Sequence, residues 1–344
     1  MKPREIFLRA LHRKPTPRPS TGSATSIVTV DLMEKAGAFF PDVHLDAGKM
    51  VRLAAAGFTE IGFDNVMPLF SVCHESAALG CKVDWGHRSQ MPVITGRPLR
   101  IGDEVKIPKG FLTRPETRVA FEAIAALKKS LGGEAAVVGK VFGPWTLGYH
   151  LYGVEEFLMN TILEPDLVKR AISTAKEVTV LFANAQIDAG ADALCLGDHA
   201  TRDLCSPESY RDFLRDVHAE LVGRIACPLI LHICGDTSDR IGYIRETGVP
   251  CFHFDSKVSA KEARRLAGAK LSLMGGTSNF RVIREGTPET IAADVREKLE
   301  CGIDIIGPEC AVPLDAPYAN MKMLAAEVKR LTGPRARAGK TDAS

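Results

Sequence analysis

The chain has 344 residues, 45% of them hydrophobic and 25% charged, with a formal net charge of +2. That balance supplies a large core and gives no basic surface for nucleic acid. No apolar run approaches the roughly 20 residues of a bilayer span, and the opening MKPREIFLRALHRK lacks the apolar centre of a secretory leader, so a cytoplasmic protein with no membrane partner is expected. Nine cysteines at irregular spacing fit reduced thiols rather than a disulfide framework, and most should be small buried hydrophobes.

In chain order, a surface helix is expected over Pro3 to His12, followed by the Pro-rich link KPTPRPS. An extended Ser/Thr-rich segment, Thr21 to Val30, comes next. From there apolar strands alternate with helical patterns. The expected strands are Glu60 to Leu69, Ala135 to Phe142, Ala193 to Gly197, Pro228 to Cys234, Cys251 to Phe254, Leu271 to Met274 and Asp304 to Ile306. The expected helices are Leu45 to Ala56, Glu116 to Ser130, Pro165 to Ala189, Pro207 to Arg224, Ser238 to Glu246, Ala260 to Ala267, Pro288 to Cys301 and Tyr318 to Leu331, each ending near a Gly or a turn.

With the Ser/Thr-rich segment counted as the first, eight strands alternating with eight helices predict an α/β fold, a closed (β/α)8 TIM barrel. A doubly wound open sheet is the alternative, but no GxGxxG follows an early strand. Residues 71–109, inserted after the second strand, are too many for a plain loop and should form a hairpin or lid beside the barrel mouth. Residues 1–333 then make one domain, and 334–344 a disordered basic tail.

The stretch PLILHICGD, Pro228 to Asp236, carries the sharpest chemical signal. Residues two apart on a strand share a face, so His232 and Cys234 project together while Ile233 points away. Barrel active sites sit at the carboxyl ends of the strands, where this pair falls. The eighth strand ends in IDIIGPEC, which brings Cys310 to the same rim. One His and two Cys with a fourth position left for substrate are a set that suits catalytic zinc.

The HICG segment, the GPEC turn with its following PYANMKMLAAEV helix, the GTPETI helix start and the inserted ESAALGCKVDWG together resemble the methylcobamide:coenzyme M methyltransferases of the uroporphyrinogen decarboxylase superfamily. The similarity runs over nearly the whole chain. It implies a (β/α)8 barrel, with His232, Cys234 and Cys310 as zinc ligands. It also implies a corrinoid, free methylcobalamin or a corrinoid protein, as methyl carrier and a small thiol or other methyl acceptor. Glu309 departs from the family pattern, which often has Gly before the distal Cys.

Other rim residues have two readings each. Asp198 and His199, in LCLGDHA after the fourth strand, would orient a ligand or contact the corrinoid, or else cap a helix. His253 and Asp255 share a strand face and would support the site as a polar pair, or fill the barrel interior. Asp64 aligns with the region where decarboxylases carry an essential Asp and is a pocket candidate. Glu75 belongs to the ESAALG segment and is a candidate to approach metal or thiol, whereas its neighbour His74 is expected in solvent.

Uroporphyrinogen decarboxylase itself is the alternative enzyme. Its substrate carries eight carboxylates and calls for clustered arginines near the N-terminus, yet SATSIVTVDLMEKAG at the matching place has none. A non-catalytic module docking a corrinoid protein would not need the HxC and distal Cys. Metal-dependent hydrolysis would favour His and Asp over two thiolates.

Overall fold

The structure, a computed structural model, describes residues 1–332, so the tail expected at 334–344 lies outside the described residues. In chain order its strands are β1 (Ser20–Thr21), β2 (Asn65–Val66), β3 (Lys82–Asp84), β4 (Val93–Gly96), β5 (Ala136–Phe142), β6 (Ala193–Gly197), β7 (Leu229–His232), β8 (Cys251–Phe254), β9 (Ser272–Thr277) and β10 (Ile305–Pro308). Eight of them form one sheet in the order β1-β10-β9-β8-β7-β6-β5-β2, paired in parallel. The seam between β1 and β2 is drawn together by Asp64 N donating to Thr21 O at 2.7 Å, and by Asn65, whose amide exchanges two bonds with the Ser23 backbone. The expected (β/α)8 barrel is therefore present.

The strands read as continuous apolar runs because both faces are covered. All seven residues of β5, AVVGKVF, are buried. Around them lie helices such as Pro165–Asp188, whose buried positions Val168, Ala171, Ile172, Ala175, Val178 and Phe182 recur at helical spacing. The first helix, Pro3–Ala10, buries Ile6, Phe7 and Ala10 and closes the amino end of the barrel, where Ser272 Oγ donates to Ala10 O at 2.8 Å.

Two expected strands are shorter than predicted, for local reasons. After Thr21 the serines and threonines act as turn and cap formers. Ser23 Oγ accepts from Thr25 N at 3.1 Å, and Thr29 Oγ1 caps the helix Val30–Ala36 by accepting from Leu32 N. Before β2 the helix Ala47–Ala56 overruns through Gly57–Ile61 and stops at Gly62, whose φ of +87° suits glycine. The helices Pro144–Tyr152 and Val154–Leu163 were not predicted, because the first is buried almost all round and carries no amphipathic period.

The insertion after β2 holds a short helix, His74–Ala78, and the antiparallel hairpin β3–β4. It leaves from the carboxyl end of β2 and packs back over the rim, where Trp85 stacks on His44 with ring centroids 5.8 Å apart. Among the described residues no helix is long and apolar enough to cross a membrane.

Candidate metal centre

β7 delivers His232 as its last residue, and the chain continues extended through Ile233, buried on the opposite side, to Cys234. Gly235 then turns at φ +81°, a conformation that favours glycine, in a space where a Cβ would lie 2.5 Å from Thr201 Oγ1. Cys310 arrives from the end of β10. His232 Nε2 lies 3.0 Å from Cys234 Sγ, Cys234 Sγ 3.0 Å from Cys310 Sγ, and Cys310 Sγ 3.4 Å from His232 Nε2. The three make one compact group of potential metal donors. Tetrahedral zinc with one nitrogen and two sulfur ligands spaces its donors by about 3.6–3.8 Å, so the set fits after an outward shift of a few tenths of an ångström.

Neighbouring strands orient the ligands. His232 Nδ1 donates to His253 O at 3.2 Å, and because a carbonyl only accepts, the lone pair sits on Nε2, facing the sulfurs. His253 Nε2 in turn donates to Pro308 O at 2.8 Å, tying β8 to the strand that carries Cys310. Burial pulls the His253 pKa down to about 3, so its ring is neutral. Asp255 accepts from Gly235 N at 2.8 Å and from Lys257 N at 2.9 Å, fixing the turn beside Cys234. Glu309 accepts from Asn279 N at 2.8 Å and from Ser256 N at 2.9 Å and so braces the Cys310 loop. The Cys234 thiol holds Cys310 toward the thiolate, while Cys234 is pushed the other way by Cys310 and by burial.

The remaining predicted residues divide between the rim and elsewhere. Glu75 is buried and accepts from Phe142 N at 2.8 Å at the end of β5, and burial raises its carboxyl to about 7. His199 sits at the mouth with its ring against Phe142, within electrostatic reach of His232 and Cys310; burial, then His232, lowers its pKa. Asp198 takes the capping role. Its carboxylate turns away from the lumen, accepting from Thr146 N at 2.7 Å and from Thr146 Oγ1, with His218 Nε2 at 3.0 Å on the other oxygen.

Two expectations are corrected. Asp64 does not line the mouth: it precedes β2, at the amino end, where Arg18 grips both its oxygens at 2.7 Å and Ser20 and Thr21 donate to it. His74 is not in solvent but fully buried, with Nδ1 on Glu116 O at 2.8 Å, because Trp85 of the insertion covers it. Two residues near the centre were not predicted: His44, packed against His74 and Trp85, and Lys140, on the lumen side of β5. A lone Lys inside the apolar run AVVGKVF was the available signal for the second.

A (β/α)8 barrel with its chemistry-bearing residues on the carboxyl rim defines an enzyme scaffold. The sequence matches the uroporphyrinogen decarboxylase (URO-D) family over residues 2–331, and the chain belongs to that family. Within it, the chain is 32% identical to a methylated-thiol–coenzyme M methyltransferase of Methanosarcina mazei, over 89% of this chain and 83% of that protein. It is 29% identical to a methylcobamide:CoM methyltransferase of Methanosarcina barkeri, over 93% and 95% of the two chains. A solved methyltransferase from Methanosarcina mazei superposes with a TM-score of 0.93 at 28% identity, covering 97% of this chain and 100% of that one. The expected resemblance to the methyltransferase branch is borne out.

Proposed function

We propose that the chain is a zinc-dependent methyltransferase that moves a methyl group between a corrinoid, either methylcobalamin or a methylated corrinoid protein, and a thiol such as coenzyme M. The observation that carries this reading is the convergence of His232, Cys234 and Cys310 from two distant strands on one point of the rim. Zinc in such a set supplies a position at which a thiol binds as its thiolate, the nucleophilic form. His232 is held in the tautomer that presents Nε2, and Asp255 and Glu309 fix the two cysteine loops, so the donors are oriented before any metal arrives.

The methyl leaves a Co(III) corrinoid as the acceptor's sulfur forms its new S–C bond, with the electron pair of the cobalt–carbon bond remaining on cobalt as Co(I). The corrinoid carries the difficult chemistry, and the protein's part is alignment. A corrinoid borne by another protein cannot enter a narrow lumen. Its face would meet the rim formed by the β3–β4 hairpin and the loops that carry His199 and Cys310. Decarboxylation is disfavoured because Ser23 to Gly37 brings no arginine to hold a polycarboxylate.

Calorimetric titration with thiol, in buffers of different ionisation enthalpy, tests the reading. About one proton should be released per thiol bound, and none in His232→Ala or Cys234→Ala. A thiol that accepts methyl from methylcobalamin without releasing a proton would overturn the zinc–thiolate mechanism.

A further inference from the structure

Lys140 is anomalous. It lies in the middle of a strand that is otherwise apolar or Gly and is 5% exposed. The barrel register sets it opposite Cys195, while Phe142, two residues on, lies opposite Gly197, which pairs with His232. Lys140 thus sits one side-chain layer beneath the metal-ligand layer. Among the described residues no carboxylate comes within ion-pair distance of its ammonium, whose one hydrogen bond is a long one, 3.5 Å to Leu69 O. The ammonium rests 5.1 Å from the centre of the Phe142 ring. Burial pulls its pKa down, and Cys195, Glu75, Cys310 and Cys234 pull it back.

A buried ammonium without a close anion is costly, and a neutral side chain of the same length would fill the space more cheaply. The charge has an evident partner once the centre is loaded. Zinc with two cysteine thiolates and a neutral His is uncharged, so an acceptor thiolate brings one uncompensated negative charge to a site whose cysteines are only partly open to water. We infer that Lys140 is the counter-charge for that acceptor thiolate, a positioning residue that acts through its field without touching the sulfur. This rests on the zinc–thiol reading above. When the thiol binds, its S–H bond breaks and the proton goes to solvent, and the anion left behind is stabilised by Lys140. The methylated product is a neutral thioether and gains nothing from the same charge, so Lys140 favours binding of acceptor over retention of product.

The cobalt(II)-substituted protein reports thiolate binding directly, through the sulfur-to-cobalt charge-transfer band. It should be titrated with 2-mercaptoethanol, with 2-mercaptoethanesulfonate and with their S-methyl derivatives, in the wild type and in Lys140→Met. Affinity for both thiols should fall by the same factor, about tenfold to a hundredfold for one charge acting across a partly shielded gap. Thioether binding and metal content should be unchanged, and the melting temperature unchanged or raised, which a packing role would not produce. Lys140→Gln, neutral and polar, should repeat the loss and serves if the Met variant folds poorly. Loss confined to the sulfonate would overturn the inference, because Lys140 would then hold the acid end of the acceptor. Undiminished binding of both thiols would overturn it as well. If the wild-type band fails to respond to any thiol, the zinc–thiol reading falls and the inference falls with it.

Discussion

The two ends of the barrel treat their buried carboxylates, histidines and lysine differently. At the amino end three aspartates, Asp64, Asp192 and Asp304, each stand just before a strand, and each accepts from a backbone N–H of the neighbouring strand: Thr21, Val137 and Leu273. Each is also gripped by cations, Asp64 by Arg18, Asp192 by Arg4 and Lys128, and Asp304 by Arg13 and Arg264. At the carboxyl end, among the described residues, both ring nitrogens of His44, Nε2 of His74 and Nδ1 of His253 are buried with no hydrogen-bond partner and Lys140 has no ion pair, whereas at the amino end the Thr21 hydroxyl and Arg264 Nε are left so but every one of the three carboxylates is paired. Satisfied charge at one end locks strand to strand. Unsatisfied polarity at the other is the costly arrangement that folds tolerate where ligands bind.

Substitutions at the two ends should therefore separate function from stability. The largest effect is expected at the metal donors. Cys310→Ala should lower bound zinc from about one per chain to near zero and abolish methyl transfer, while circular dichroism shows an intact barrel. Full zinc content in that variant would remove Cys310 from the ligand set. Asp64→Ala should do the reverse. It strands Arg18 and removes the acceptor of Ser20 and Thr21, so urea unfolding should show a loss of about 3–5 kcal/mol, with transfer per folded molecule unchanged. A catalytic defect without a stability loss would return Asp64 to the active site.

The next effect depends on pH. Glu75, held at about 7 by burial against an ordinary value of 4.5, keeps its proton in the folded protein over a range where the unfolded chain has lost it. Its contribution to stability is thus complete below pH 4.5 and is lost as pH rises through 7, a decline of about 3 kcal/mol. Glu75→Gln keeps the acceptor for Phe142 N and should flatten that decline. A slope in Glu75→Gln equal to the wild type's would place the titration elsewhere.

The rim was legible in the sequence because strand alternation and barrel polarity are local rules. HIC on a strand end and GPEC after the last strand were enough to bring His232, Cys234 and Cys310 together. What escaped depends on tertiary direction. Asp64 and Asp198 both adjoin a strand, but one lies at its amino end and the other turns outward to cap a helix, and residue type alone does not distinguish these from a rim carboxylate. His74 was misplaced because its cover, Trp85, comes from a hairpin whose docking no periodicity encodes. The Ser/Thr segment after Thr21 has the composition of an extended strand, whereas its hydroxyls bond the backbone into a turn and a cap.

The smallest expected effect sharpens the comparison most, because it sets two aspartates with like backbone bonds against each other. Asp255 accepts from Gly235 N beside Cys234, as Asp192 accepts from Val137 N, but Asp255 has no cation within ion-pair distance among the described residues. Its bond therefore serves the Cys234 turn rather than the joining of strands. Removing it in Asp255→Ala leaves the N–H of Gly235 without its carboxylate and frees the turn to move Cys234 away from His232 and Cys310. Support of this kind is worth about 10–100-fold in metal affinity, which competition with a chromophoric chelator measures. Asp192→Ala should leave metal affinity unchanged and cost stability instead, since Arg4 and Lys128 lose their shared partner. Equal metal affinity in the wild type and Asp255→Ala would mean that the backbone alone holds Cys234 in place, and that Glu309 and His253 supply the rest of the orientation.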